Sequence, residues 1–371
     1  MGSFTHVALA TGSVAFCEDR VFDPRTIDTL EPSVAAQAMA WIRVRDLSQQ
    51  RGLRLMTADH FGDDGIDPHH SLLVACDWTL AARRLVAGGA RPAALISFDS
   101  PVSAWRLYHQ LAQVSARFPH TFLFEGARER VAPTTRFHPL YFPQPCPPPR
   151  PTGRAWSKRR FLVMLANNQV IPRWRDLARW FDRPREVSLT RGWAGLQYRP
   201  ILRDRFVARL RAIEAFSRID DFDLFGEGWD TRCAAVEPAQ HAAARHAYRG
   251  PPGDLPALLA GYRFCLVFEN TRFPGYVSEG LFACFFARCI PIYSGAPDVA
   301  QYVPPAAYVD ARQFATHDDL GRFLRATTEA DARRFLDAAH SFLASPAYER
   351  YCLDRFARDM ADALVQVGEQ Q

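Results

Sequence analysis

Glu269, Asn270, Arg272, Tyr276, Ser278 and Glu279 lie in one short polar stretch between two apolar runs, Arg263–Phe268 and Leu281–Ala287. The first run reads as a buried strand that opens at Glu269-Asn270 into a loop, and such strand ends are where α/β sheets bind ligands. Pro274-Gly275 marks a turn. Tyr276 and Val277 then lead to Ser278 at the start of a packed helix, with Glu279 in its first turn. Ile290-Pro291-Ile292-Tyr293 follows as a second strand, closed by Ser294-Gly295-Ala296-Pro297. Unpaired N–H groups and the positive end of a helix dipole favour a phosphate. A first-turn carboxylate can also accept both hydroxyls of a ribose, so the residue types at this spacing suit a nucleotide sugar. The plainer reading is that Ser278 caps the helix and Glu279 complements its dipole.

Further stretches carry polar groups at strand or helix ends. Phe98-Asp99-Ser100-Pro101 ends a strand in a carboxylate just before a helix-starting Ser-Pro, an arrangement that also serves simply to cap a helix. Arg203, Arg205 and Arg209 stand on a helix whose apolar face is Phe206, Leu210 and Ile213. Asp221-x-Asp223 has the spacing of a metal-binding acidic pair, but it sits at the front of the strand that ends before Gly226-Glu227-Gly228-Trp229. Asp67-Pro68-His69-His70 has no further ligand group at metal spacing and reads as a surface loop.

The ordered string Phe268-Glu269-Asn270, Tyr276-Val277-Ser278-Glu279-Gly280 and Pro291-Ile292-Tyr293-Ser294-Gly295-Ala296-Pro297 resembles the donor motif of the α-1,3/4-fucosyltransferases of glycosyltransferase family 10, the soluble bacterial kind most nearly. The resemblance implies an α/β, GT-B-like fold, two Rossmann-like domains facing across a cleft, with the donor in the C-terminal half. It implies inverting transfer of L-fucose, or a related sugar, from GDP-fucose to a hydroxyl of a glycan or glycoconjugate acceptor, with no metal and no cofactor beyond the donor. Asp99 stands where the family has a glutamate that acts as catalytic base, and it is one methylene shorter. The family arginine that meets the donor diphosphate corresponds to Arg203 or Arg205, and the acids of Asp221-x-Asp223 correspond to structural ones. Glu269, Asn270, Arg272, Tyr276, Ser278 and Glu279 complete the implied donor-binding set. Gly280 stands where the family has a lysine on the diphosphate, so positive charge is expected instead from the helix N-terminus, Arg203 or Arg205, and Arg272. These two departures leave open a transferase with altered donor or acceptor, or a nucleotide-binding protein that has lost transfer.

The remaining elements must position these groups. Strands are expected at Phe4–Ala10, Leu53–Met56, Ser71–Ala75, Ala93–Phe98 and Thr121–Phe124, with helices at Pro32–Gln50, Trp78–Ala87 and Ala104–Phe118. This alternation predicts a parallel sheet with helices on both faces over residues 1–142. Phe122 and Phe124 share a strand face, as core or as cleft lining. Six prolines between Pro143 and Pro151 predict a stiff linker over 143–152. A second domain is expected over 153–345, with a strand at Lys158–Ala166, helices at Pro172–Phe181 and Arg203–Phe216, and an irregular segment at Arg183–Tyr198. A closing helical segment follows over 346–371.

At 371 residues and 48% hydrophobic, the chain can bury two cores. Its net charge of +5 comes almost wholly from dispersed arginines, with Lys158 the sole lysine, which suits a phosphate-bearing substrate and does not form a nucleic-acid stripe. No signal-peptide pattern or membrane-length apolar run is present in the sequence, and a cytoplasmic protein is expected. The eight cysteines include no CxxC pair and read as reduced core residues.

Overall fold

Short apolar runs, each followed by a polar strand end, become parallel strands buried on both faces. The computed structural model describes residues 4–27, 30, 32–62, 65–146, 154–168, 199–219, 221–230 and 236–369. They divide into two compact units: 1–148 with 274–276 and 346–371, and 149–273 with 277–345.

In the first unit, β1 (His6–Ala10), β2 (Arg54–Thr57), β3 (Ser71–Cys76), β4 (Arg91–Ile96), β5 (His120–Leu123) and β6 (Arg136–Pro139) form a six-stranded sheet in the order β2-β1-β3-β4-β5-β6. Every pairing is parallel. Since β2 and β3 flank β1 on opposite sides, the order reverses between β1 and β3, where a crevice opens at the carboxyl ends of such sheets. The expected helix Ala104–Phe118 is instead two short helices, Trp105–His109 and Leu111–Ser115, parted at Gln110, whose backbone (φ −108, ψ 19) is not helical. Leu107, Leu111 and Val114 are buried all the same, so the apolar stripe survives the break. Phe122 and Phe124 are both core: Phe122 stacks on His138, and Phe124 meets Phe142 and Tyr276. His120 Nδ1 and His138 Nε2 lie 3.0 Å apart; burial holds both rings below the usual histidine range, His138 at about 4.

The closing helix, Leu353–Glu369, belongs to this first unit. It packs on the helix Pro32–Gln50, with the Trp41 and Phe356 rings edge to face at 5.7 Å. The proline-rich stretch is anchored at its start: Leu353 donates its N–H to the Gln144 carbonyl at 3.0 Å, and the Tyr348 hydroxyl donates to the Pro145 carbonyl at 2.8 Å. This docking brings Cys146 and Cys352 together as a disulfide, with Cα atoms 5.2 Å apart. The expectation of eight reduced cysteines is corrected at this pair, which the sequence hides behind a separation of 206 residues. Cys265, Cys284 and Cys289 are free and buried, Cys17 and Cys76 are free and half-buried, and Cys233 lies outside the described residues.

In the second unit, β7 (Arg160–Leu165), β8 (Phe222–Phe225), β9 (Tyr262–Phe268), β10 (Ile290–Ser294) and β11 (Val309–Asp310) form a parallel sheet in the order β11-β10-β9-β7-β8. The order reverses between β7 and β9. Leu162, Leu224, Phe264, Leu266 and Ile292 from the strands meet Ile213 and Phe216 from the helix Arg199–Phe216 in the core. Asp223 is fully buried and held by Arg160, by Arg249 Nε at 2.8 Å and by the Tyr262 hydroxyl. Asp221 accepts the Phe161 N–H at 2.8 Å. Both acids of the Asp-x-Asp pair are therefore bound by the protein itself. The expected helix Pro172–Phe181, the irregular segment Arg183–Tyr198 and the linker beyond Cys146 lie outside the described residues.

Candidate active site

In the second unit the polar stretch is organised by Glu269. The residue follows β9, is 5% exposed, and donates its own N–H to the Ser294 carbonyl of the neighbouring strand at 2.9 Å. Its Oε1 accepts the Ser278 N–H at 2.9 Å, so a carboxylate from the strand end takes up an N–H where the helix Glu279–Phe286 begins. Ser278 occupies the N-cap in extended conformation, but its own side chain caps nothing. Burial pushes the Glu269 carboxyl up to about 7; the Ser278 bond opposes that rise, nearby Glu279 adds to it and Arg209 counters it. A Cβ on Gly295 would collide with Glu269 and the Tyr293 ring, which is why the turn after β10 carries glycine there. At Gly280, by contrast, a Cβ meets nothing closer than Val267 at 3.4 Å. A side chain at this position therefore meets no obstacle at its first carbon.

Arg209 donates through Nε and Nη2 to the Phe268 carbonyl at 3.1 and 2.6 Å, fixing the end of β9 from the helix side. Arg203 and Arg205 lie on the same helix, and their side chains lie outside the described residues. Asn270 is half-buried, and its Oδ1 is enclosed without a hydrogen-bond partner.

Beside these groups a cavity of about 460 Å³ is lined by Phe268, Ser294, Ala311, Phe314 and Leu320, with Arg272, Arg312, Thr316 and His317 as its polar members. It lies at the carboxyl ends of β9, β10 and β11 and is large enough for a small organic ligand. Arg312 is held by a bidentate pair with Asp310 at 2.8 and 2.7 Å and donates through Nη1 to the Ala296 and Pro297 carbonyls at 3.3 and 3.2 Å. Thr316 caps the helix His317–Ala326, and burial holds His317 below the usual histidine range. Arg312 and His317 were not singled out from sequence. The signal for Arg312 is the one used for Glu269, a polar residue just past a strand end.

The first unit holds Asp99 and Tyr276. Asp99 follows β4 by three residues, and its N–H donates to the Ser97 hydroxyl at 3.3 Å. The side chain keeps solvent access, while the protein packed around it raises its carboxyl above the usual carboxylate range. The Tyr276 ring is 6% exposed and packs on Phe124 at 4.8 Å and Phe142 at 5.8 Å, a core position. Thus Glu269 and Ser278 touch directly, Arg272 lines the cavity beside them, and Tyr276 is held by aromatic packing.

Among the described residues no group of three or more His, Cys, Asp or Glu is placed to hold a metal ion, and no helix is long and apolar enough to cross a membrane.

Residues 204–337 match the C-terminal domain of glycosyltransferase family 10, the fucosyltransferases. An α-(1,3)-fucosyltransferase of Helicobacter pylori is 41% identical over 61 residues, which cover 16% of this chain and 13% of that protein. An α-(1,4)-fucosyltransferase of Arabidopsis thaliana is 34% identical over 71 residues, covering 19% and 18%. The chain thus aligns with less than a fifth of the length of these curated relatives. Among solved structures, Anabaena HepE in complex with UDP and glucose superposes with a TM-score of 0.55 at 12% identity, covering 98% of this chain and 100% of that one. An α1,3-fucosyltransferase superposes at 0.51 and 14% identity, covering 99% and 90%. The fold is that of the GT-B glycosyltransferases.

Proposed function

We propose that this chain, whose residues 204–337 match the C-terminal domain of glycosyltransferase family 10, is an inverting, fucosyltransferase-like enzyme that moves L-fucose, or a related sugar, from GDP-fucose to a hydroxyl of a glycan or glycoconjugate. The observation that carries this reading is the 460 Å³ cavity at the ends of β9, β10 and β11, with Arg272 and Arg312 in its wall and Phe268, the residue before the motif pair Glu269-Asn270, lining it. A nucleoside diphosphate leaving group needs positive charge where the bond breaks, and Arg272 and Arg312 supply it. The helix that begins at Glu279 adds the positive end of its dipole. Glu279 takes the ribose hydroxyls, and Asn270 Oδ1 is an acceptor held ready for a donor group of the nucleotide.

Asp99 is the base. As an acceptor oxygen bonds to the anomeric carbon, its proton passes to the Asp99 carboxylate, and the electrons of the sugar–phosphate bond leave on GDP. The raised proton affinity of Asp99 suits that task, because a base works best when its pKa approaches the working pH.

The test is a thermal-shift panel of nucleotide sugars followed by mass spectrometry of the transferred sugar. GDP-fucose at about one hundred times its Kd is expected to stabilise the protein by about 2.7 kcal/mol, and turnover is expected to follow. A shift with another nucleotide sugar alone would assign a different donor, and a shift without turnover would make the chain a binding protein.

A further inference from the structure

Phe98, the residue before Asp99, is held by two aromatic rings. It packs on Phe142 at 5.9 Å and on Phe356 at 5.7 Å, tilted by 42° and 50°. Phe142 is buried and also meets Phe124 at 5.5 Å, and the buried Phe356 also meets Trp41. Asp99 has looser ties of its own. Its N–H donates to the Ser97 hydroxyl and its carbonyl accepts the Tyr108 hydroxyl, both at 3.3 Å, beyond the usual range for such bonds. The place of its carboxylate therefore depends on how firmly Phe98 is held.

The two rings come from distant stretches that are tied together at one place. Cys146 stands four residues after Phe142, Cys352 stands four residues before Phe356, and the two cysteines form the disulfide. Beside it Gln144 bridges Cys352 in parallel register, its N–H donating to the Tyr351 carbonyl at 2.5 Å and its carbonyl accepting the Leu353 N–H at 3.0 Å. The Tyr348 hydroxyl adds its bond to Pro145. So short a pairing has little stability by itself. Cys146 and Cys352 are 206 residues apart, and from residue 149 the chain belongs to the second unit, so without the covalent link the two arms meet only by closing that long loop.

We propose that the Cys146–Cys352 disulfide is a redox-sensitive clasp: it keeps Phe142 and Phe356 on Phe98, through Phe98 it sets the position of Asp99, and its reduction by a dithiol slows transfer.

The proposal rests on the transferase reading and makes Phe98 a positioning residue for the base. Cys146 is exposed and Cys352 is buried, so the reductant meets the bond at the Cys146 sulfur. A thiolate of the dithiol bonds to that sulfur, the sulfur–sulfur bond breaks, and Cys352 leaves as a thiolate that takes up a proton. The second thiol of the reductant then displaces Cys146 from the mixed disulfide. The protein gains two electrons and two protons, and the dithiol becomes a disulfide. Phe356, Met360 and Leu364 of the closing helix remain buried, so the first unit stays folded while the join at Gln144 and the hold on Phe98 loosen.

Peptide mapping of the full chain without reductant is expected to give a cross-linked pair containing Cys146 and Cys352, and free thiols at both positions overturn the proposal. Dithiothreitol is expected to lower kcat for sugar transfer about tenfold, within the loss that a misplaced reacting group brings, with the donor KM unchanged. Amide hydrogen exchange over residues 98–104 is expected to rise with it, while β9 and β10 stay as they were. Cys146→Ser, at an exposed position, is expected to show the reduced values with and without dithiothreitol, which separates the clasp from the other cysteines. Phe98→Leu is expected to lower kcat in the oxidised chain and to shrink the response to reductant. Exchange that rises at 141–146 and 353–369 but not at 98–104 makes the bond a staple of the fold alone and overturns the proposal, as does a Cys146→Ser chain that still responds to dithiothreitol. An oxidised parent that turns over no nucleotide sugar, yet shows the rise at 98–104 on reduction, overturns the transferase reading and leaves the link from the disulfide to Asp99 standing.

Discussion

The two sheets share one strand order and end in acids, yet they treat those acids in opposite ways. At the end of β9, Glu269 is enclosed and its carboxylate accepts the Ser278 N–H, so the protein has already spent that group on shaping the turn. At the ends of β3 and β4, Asp77 Oδ1 is enclosed without a partner and Asp99 keeps solvent access. Burial pushes both Glu269 and Asp77 up to about 7, so the shift alone does not tell them apart. What differs is the use of the lone pairs. One edge holds a loop in shape with its carboxylate, and the other leaves carboxylate oxygens over.

That contrast can be broken most directly at Asp99. Asp99→Asn is expected to lower turnover of GDP-fucose by about 10²–10⁴-fold, the usual worth of a general base, with the thermal shift by the donor retained. Loss of donor binding in that variant would show that the two edges do not divide the work as described. Asp223→Ala sharpens the comparison with an acid whose oxygens are taken by two arginines and a tyrosine. It is expected to cost about 3 kcal/mol of stability by urea denaturation, since a buried pair broken on one side leaves the arginines uncompensated. Gly280→Lys adds a cation where the Cβ has room, and isothermal titration is expected to show about tenfold tighter binding of GDP. An unchanged affinity would mean that Arg272 and Arg312 already saturate the diphosphate. The smallest effect is the pH signature of Glu269→Gln. A carboxyl raised in the folded state favours folding below its unfolded pKa and loses that contribution as pH rises through about 7. The Tm of the variant relative to the parent is therefore expected to climb between pH 5 and about 8, read by calorimetry.

Much of this was legible in the chain because strand ends announce themselves. The runs before Glu269 and Asp99 are apolar, short and followed by turn residues, and β9, β10 and the helix after Ser278 appear within a residue or two of their expected bounds. What stayed hidden depends on register or on distant partners. Asp77 also follows an apolar run, but its place next to the end of β4 comes from the pairing of Cys76 with Ile96, which no local pattern encodes. Strand β6 was missed because Arg136-Phe137-His138-Pro139 alternates too little and ends in proline, a residue an edge strand tolerates. The break at Gln110 was invisible because both short helices keep a common apolar stripe.

The return of the last helix to the first unit makes that unit a host, interrupted along the chain by the guest residues 149–273 and 277–345. Its fold is completed only after the guest has been synthesised, since Phe356, Met360 and Leu364 fill its interior and Cys352 closes onto Cys146. A chain cut after Ser345 would therefore keep every residue of the second unit while leaving the first with an open core.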